Sequence, residues 1–296
     1  MRNYANEQLS GRLMRLAFEV RRAARNRRPD DVHDLRVSIR RFLECLDVFR
    51  DYFPTRAAKK CRRRLGRIME LAAAVRDCDI TITLVNEAGA GSRSALQGWL
   101  TGTRATAMDT LVEELRRLTR REFSRRWRDA LDLAGKDPNS FSAADLKEAA
   151  AHAARELPGL ARKFFKRGRR AAAPDETGQT LHEFRLVAKR FRYVVELFRP
   201  VYGPGLVARI NILRCVQRHL GEVHDCVAAR ELLDRAPAGK TRSAASVARR
   251  IDALGERRVR AFRLYWKRTL ESPLQERNWT AYLARFAGSK TARRRS

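Results

Sequence analysis

One stretch of the sequence occurs twice. Residues 32–49 (VHDLRVSIRRFLECLDVF) align without a gap to residues 181–198 (LHEFRLVAKRFRYVVELF), at an offset of 149 residues. Each copy is followed by an aromatic turn with proline and then by a second related motif, VRDCDI (75–80) or VHDCVA (223–228). Because both order and spacing are kept, the chain is an internal duplication, and its two halves must fold into comparable sets of elements.

Hydrophobic periodicity predicts the type of these elements. In nearly every segment, apolar residues recur at spacings of three and four between breaks rich in Gly, Pro or Asp. No alternating strand with a hairpin turn is recognisable, so the sequence predicts an all-α protein. The predicted helices span residues 5–27, 31–50, 56–88, 93–118, 120–134, 142–168, 178–199, 205–235, 242–271 and 276–286.

Short connections between these helices favour antiparallel neighbours. Together with the duplication, they predict two four-helix bundles related by a pseudo-two-fold axis. We expect one domain over residues 1–296, with a first half-repeat at about 5–137 and a second at about 142–271. Residues 272–296 are expected to form a C-terminal extension with a basic tail.

The charge balance restricts the class of partner. Against 34 Asp and Glu stand 64 Lys and Arg, which gives a net charge of +30, with +10 in residues 1–150 and +20 in 151–296. Arginine greatly outnumbers lysine, and its planar guanidinium can bind phosphate in a bidentate manner. A chain with this charge repels itself, so a phosphate polyanion is a favourable partner.

Cysteine usage and hydropathy indicate the compartment. The five cysteines form an odd set without a CxxC pair, and a chain of this length needs no disulfide framework. No apolar run approaches the 18 residues of a membrane-spanning helix, and no signal peptide is recognisable. We therefore expect a cytoplasmic protein without membrane insertion.

Each repeated helix is amphipathic, with a face of cations opposite an apolar face. The basic positions are His33, Arg36, Arg40 and Arg41 in the first copy and His182, Arg185, Lys189 and Arg190 in the second. The apolar positions are Leu35, Ile39, Phe42, Leu46 and Phe49, and Phe184, Ala188, Phe191, Val195 and Phe198. A charged stripe is usually a solvated face, but such a face mixes acids with bases, whereas on this face only cations follow each histidine over the first two turns. We interpret both faces as phosphate-binding surfaces.

The helix that follows each copy adds further cations. These are Lys60, Arg63, Arg64 and Arg67 in the first half and Arg214 and Arg218 in the second. His33 and His182 begin their helices at equivalent repeat positions, so each can donate a hydrogen bond to a phosphate oxygen. Capping of the helix is an equally good interpretation of both histidines.

The sequence shows no set of residues suited to metal binding or catalysis. His219 and His224 are separated by about 140° on a helix and cannot bind one ion together. Cys78 and Cys226 are repeat equivalents with no second Cys or His close by, which favours small buried helix residues. Nucleotide-binding loops and known catalytic motifs are missing, so we expect no catalytic residue, no metal and no cofactor.

The motifs HxxRVxxRR (33–41) and HxxRxxxKRxRYxxEL (182–197) resemble the paired signatures of the CHAD family, the conserved histidine α-helical domain. LRCVQRHLGEVHDCV (213–227) is similar to the second-half helix of that family. The resemblance covers roughly residues 10–270. It implies two four-helix bundles around a central basic pore or groove that binds inorganic polyphosphate, with Tyr193 in a structural role.

Carried over by position, the basic residues of the family fall on His33, Arg36, Arg40, Arg41, His182, Arg185, Lys189, Arg190 and Arg214. The first half departs from the pattern, because Gly66 stands where the repeat would place a partner of Arg214. The resemblance thus predicts non-catalytic polyphosphate binding, associated with polyphosphate granules.

The charge alone is also compatible with a non-specific nucleic-acid-binding protein. Against this, the aromatic side chains of the repeated helices lie on the apolar face, where they cannot stack on bases. An enzyme that uses a metal or a phosphohistidine is a third interpretation, for which no motif is present.

Overall fold

A computed structural model describes residues 1–89, 94–120, 122–133, 141–176, 178–237 and 242–286. These residues form eleven α-helices and one short 3-10 helix, and no strand occurs among them. The expected all-α class is therefore confirmed. The helices are α1 (Arg2–Asn26), α2 (Pro29–Val48), α3 (Thr55–Glu87), α4 (Ala95–Thr119), α5 (Phe123–Ala130), α6 (Ala143–Ala172), α7 (Gly178–Leu197), α8 (Arg199–Tyr202), α9 (Gly205–Asp234), α10 (Arg242–Thr269) and α11 (Pro273–Ala284).

Local sequence signals account for several helix ends. Helix α2 starts with Pro29, whose missing N–H costs nothing in a first turn, and two aspartates follow. The Ser94 side chain accepts a hydrogen bond from the Gln97 N–H at the start of α4, and Ser142 and Asp145 form a capping box at the start of α6. Most predicted helix ends lie within two or three residues of the observed ones.

Helices α5 and α6 differ most from their predicted bounds. Helix α5 is much shorter than predicted, because Glu122 before it and Asp132 after it have positive φ angles of 43° and 54°. Helix α6 continues past residue 168 to Ala172. It ends there because Ala173 precedes a proline and is extended.

The two aromatic turns with proline contain helical segments that periodicity did not predict. The first includes the 3-10 helix Arg50–Tyr52, and the second includes α8. Both segments are too short to show the three- and four-residue spacing on which the sequence prediction rested. The equivalent positions of the repeat thus have similar, but not identical, local structure.

The chain divides into two compact units, which are described separately. The first unit comprises Met1–Ala5, Asn139–Gly221 and Val259–Ser296. Helix α6 packs against α7, α8 and α11 in this unit. Its core is rich in aromatic rings, with Phe164 placed 5.2 Å from Phe184, 5.3 Å from Phe191 and 5.7 Å from Trp266 between ring centroids.

The second unit comprises Asn6–Pro138 and Glu222–Arg258. Helix α3 packs against α2 and α4 here. The C-terminal part of α9 and the N-terminal part of α10 complete an aliphatic core with α3 and α4. Its buried members are Leu84, Val85, Ala88, Leu96, Leu100, Cys226, Ala229, Leu233, Ala236, Ala244, Val247 and Ile251.

The apolar faces predicted for the two copies of the repeated motif are buried. All five predicted apolar positions of each copy are at most 1% exposed. Burying such side chains contributes about 1.5–3 kcal/mol each. The rotation of both helices is thereby fixed, and the cationic positions point away from the core.

Candidate polyanion-binding faces

The basic face of α2 lies in the second unit. His33 is exposed, and Arg36, Arg40 and Arg41 are half-buried. The Arg36 Nη1 atom donates a hydrogen bond of 3.0 Å to the Met69 carbonyl oxygen of α3. Arg36 therefore joins the two helices and holds its guanidinium near α3.

His33 lies among cations. Burial of part of the ring lowers its pKa below the ordinary 6.5, and the charges of Arg76, Arg40 and Arg36 lower it further. Only the neighbouring Asp34 opposes this effect. The part of this lowering that comes from three guanidinium groups indicates a concentration of positive charge on α2 and α3.

Arg76 is a member of this group that the sequence analysis missed. It belongs to α3, and its charge lowers the pKa of His33 more than any other charge does. The available signal was the repeat, because Arg76 and His224 occupy equivalent positions before the aspartate of VRDCDI and VHDCVA. Arg76 lies in the second half of α3, beyond the cations predicted in its first turns.

The four basic residues predicted on α3 have different surroundings. Lys60 and Arg63 are exposed, whereas Arg64 and Arg67 turn toward Glu114 of α4. The Glu114 carboxylate is 4% exposed and lies 2.7 Å from the Arg64 Nη1 atom and 3.9 Å from the Arg67 Nε atom. Arg64 and Arg67 thus compensate a buried acid.

Asp77 adds a carboxylate to the α3 side of the second unit. Burial raises its pKa, and the charges of Arg36, Arg235 and Arg76 lower it in part. Three arginines therefore lie near this aspartate. Asp77 in turn supplies part of the counter-charge for these cations.

The basic face of α7 lies in the first unit. His182 and Arg190 are exposed, and Arg185 and Lys189 are half-buried. The Gln217 Nε2 atom of α9 donates a hydrogen bond of 2.8 Å to the Ala188 carbonyl oxygen, which joins α9 to α7. Leu186 stands on the same helix with 53% of its surface exposed.

Arg214 and Arg218 of α9 are both exposed. The Arg214 Nη1 atom donates a hydrogen bond of 3.1 Å to Asn211, and its Nη2 atom lies 3.8 Å from the Glu196 carboxylate of α7. Arg192 lies 3.7 Å from the same carboxylate. Arg218 lies near Tyr265, whose pKa burial raises to about 12.

Cys78, Cys226 and Tyr193, for which the sequence indicates structural roles, are buried. All five cysteines are free thiols. Tyr193 is 5% exposed, with the Arg192 guanidinium carbon 4.7 Å from its ring centroid.

No cluster of three potential metal ligands occurs in the described ranges. The helices of the described part include none long and apolar enough to cross a membrane. The predicted basic tail from residue 288 onward lies outside the described residues.

Repeated helices that bury one face and carry arginine, lysine and histidine on the other define a helical protein with cationic faces. The CHAD domain model matches residues 7–234, and the chain belongs to this family. Comparison with curated protein sequences gives no significant match.

Two solved structures share the fold at low sequence identity. The CHAD domain from the plant Ricinus communis is 19% identical, with a TM-score of 0.64 over 95% of this chain and 91% of that one. PptA from Streptomyces chartreusis is 20% identical, with a TM-score of 0.58 over 90% of this chain and 99% of that one. At this identity the likeness defines the fold and not the ligand.

Proposed function

We propose that this protein binds inorganic polyphosphate on the cationic faces of α2 and α7 without converting it. The observation that carries the proposal is the group around His33, where Arg36, Arg40 and Arg76 concentrate positive charge beside a histidine whose pKa is lowered. A phosphate polyanion supplies counter-charge to this group of cations. The equivalent face of α7 presents histidine and arginine at the same repeat positions, with Lys189 in the place of Arg40.

Membership of the CHAD family supports this ligand. The two four-helix bundles, the pseudo-two-fold axis and the central basic pore belong to the same proposal, as do a cytoplasmic location and an association with polyphosphate granules. Binding without turnover is favoured because phosphoryl transfer usually needs carboxylates that hold magnesium, whereas these faces carry mostly cations.

Charge reversal on α7 tests the proposal. We expect Lys189→Glu to weaken binding of long-chain polyphosphate by about tenfold, an effect of about 1.4 kcal/mol. The matched control is Lys166→Glu, since Lys166 is exposed on α6 and outside the proposed face. Arg40→Glu on α2, with Arg50→Glu as its control, repeats the test in the other unit. Circular dichroism checks that every variant is folded. Equal losses of affinity in variant and control would show that net charge alone, and not these faces, explains the binding.

Competition with duplex DNA distinguishes the alternative function. A face lined by converging arginines suits a flexible single chain better than a wide duplex, so polyphosphate should displace DNA at equal phosphate concentration. Affinity should also rise with chain length, because each added phosphate releases further counterions. Tighter binding of DNA would instead support a nucleic-acid-binding protein.

A further inference from the structure

Two arginines share one aromatic ring in the first unit. The guanidinium carbon of Arg209 on α9 lies 3.6 Å from the ring centroid of Tyr282 on α11. The guanidinium carbon of Arg285, just after α11, lies 4.2 Å from the same centroid. Because both lie over one ring, the two cations are at most about 8 Å apart.

Neither cation has a carboxylate partner among the described residues. Burial lowers the pKa of Arg209, and the two groups whose charges also affect that pKa, Tyr282 and Arg285, are not carboxylic acids. Other arginines of the same unit are paired. Arg167 lies 3.1 Å from Glu183, Arg169 lies 2.6 Å from Glu276 and Arg170 lies 2.8 Å from Glu176.

The positions of the two arginines are fixed by contacts with the backbone. The Arg285 Nη2 atom donates a hydrogen bond of 2.6 Å to the Tyr202 carbonyl oxygen. The Arg209 Nη1 atom lies 3.4 Å from the Gly205 carbonyl oxygen. A Cβ atom at Gly205 would lie 2.8 Å from the Tyr282 hydroxyl, so the glycine leaves room for the ring.

Stacking on Tyr282 stabilises each arginine singly, but it does not compensate the repulsion between them. Arg209 is also half-buried, and loss of hydration makes its positive charge costlier. Arg285 is exposed and accessible from solvent. The two guanidinium groups therefore form a pre-arranged cationic pair without a counter-ion in the described chain.

We propose that Arg209 and Arg285 form a second phosphate-binding site, which is separate from the basic face of α7 and takes one phosphate group. Arg209 precedes Arg214 by five residues on α9, which is about 7.5 Å along the helix axis and about 140° around it. A long polyanion bound at Arg214 can reach this site only by turning around α9. The inference rests on the proposed function for its ligand class, although free inorganic phosphate offers the same chemistry.

Neutral variants with a matched control test this site. Arg209→Gln and Arg285→Gln each remove one charge at the site, and Arg277→Gln removes one charge from an exposed position of α11. Binding of long-chain polyphosphate should fall about threefold to tenfold more in the two site variants than in Arg277→Gln. Equal losses in all three would overturn the proposal, because net charge alone would explain them.

Melting temperatures separate a binding site from a structural clamp. If the pair is uncompensated, Arg209→Gln should melt at the same or a higher temperature without ligand, and polyphosphate should raise that temperature less than in the wild-type protein. A lower melting temperature together with an undiminished response to polyphosphate would show that the pair stabilises the fold and does not bind phosphate, which would contradict the proposal.

Inorganic phosphate as a probe identifies the source of the phosphate group. Binding that is lost in Arg209→Gln but kept in Lys189→Glu would assign the site to free phosphate as well as to the polyanion. Binding of long chains alone would assign it to the polyanion.

If Lys189→Glu behaves like Lys166→Glu, the proposed function fails. If Lys189→Glu is impaired while Arg285→Gln matches Arg277→Gln, only this second site fails.

Discussion

His33 is expected from the sequence to cap its helix or to bind phosphate, but α2 begins at Pro29, four residues earlier, so His33 does not cap it. Partial burial of its ring and the charges of three arginines lower its pKa, and one of these arginines comes from the neighbouring helix α3. The unfolded chain therefore takes up a proton on this histidine at a higher pH than the folded protein does. Stability should consequently fall as the pH drops from about 6.5 toward the lowered pKa.

Bound polyphosphate should reverse this effect. A polyanion beside His33 favours imidazolium, so binding takes up a proton, and affinity should rise as the pH falls from 7.5 to 5.5. A pKa raised by about one unit corresponds to about a tenfold gain in affinity. Asp34 on α2 favours the same protonation, while Arg36, Arg40 and Arg76 oppose it.

The measurement is a binding titration at several pH values, with His33→Gln beside the wild-type protein. The variant should lose the part of the pH dependence that His33 contributes. NMR titration of the His33 imidazole with and without polyphosphate gives the shift directly. An imidazole that titrates at the same pH in both samples would remove His33 from the binding site.

Glu114 shows how a single buried acid changes the interpretation of its neighbours. Viewed along α3 alone, Arg64 and Arg67 continue a cationic stripe. In the folded protein, both lie near the Glu114 carboxylate of α4, and Arg117 lies 3.8 Å from that carboxylate. The pairing distinguishes these two arginines from Lys60 and Arg63, although Arg67 is exposed as well.

At the level of helices, α6 is the centre of the first unit, and one glycine determines how closely it packs against α10. A Cβ atom at Gly168 would lie 2.0 Å from the Trp266 ring, which is fully buried. The ring also contacts Phe164 and Phe165 of α6, at 5.7 Å and 6.2 Å between centroids. The indole therefore has no space into which to move.

We expect Gly168→Ala to destabilise the protein by about 1–3 kcal/mol or more, because overpacking forces the ring or the helix to shift. Gly159→Ala is the matched control on α6, since nothing lies closer than 4.0 Å to its added Cβ atom. That substitution should be neutral or should stabilise by about 0.4–1 kcal/mol. Chemical denaturation measures both, and a Gly168→Ala variant as stable as Gly159→Ala would contradict the packing argument.

Across the full chain, the charge of +30 opposes folding. A polyanion that binds only the folded protein should therefore raise the melting temperature in a saturable manner. At about a hundred times the dissociation constant, the gain is about 2.7 kcal/mol, which corresponds to several degrees for a chain of this size. Thermal unfolding followed by circular dichroism gives the shift.

Sodium chloride at equal ionic strength is the control for that experiment. Salt screens the repulsion between exposed cations without filling a site, so its effect should be smaller and should not saturate. If salt alone produced the full shift, binding to defined faces would be unnecessary to explain the stabilisation.

The duplication and the periodicity were sufficient to predict the helical class, most helix bounds and the rotation of α2 and α7. These follow from spacing along one chain, because a helix that must bury every third or fourth residue has only one orientation toward its core. The same spacing identified the exposed or half-buried cations of both helices. The family resemblance was confirmed by a match to the CHAD domain over residues 7–234.

Ion-pair partners on different helices could not be predicted from the spacing of residues along the chain, because an ion pair depends on which helix packs opposite each charged side chain. Arg64 meets Glu114 fifty positions later in the chain, and Arg76 reaches His33 from a separate helix. The C-terminal part of α9 likewise packs with α3 and α4, which precede it by more than a hundred residues in the chain. The sequence thus determined which residues face outward, whereas the packing of distant segments decided which cations are compensated and which are available to an anion.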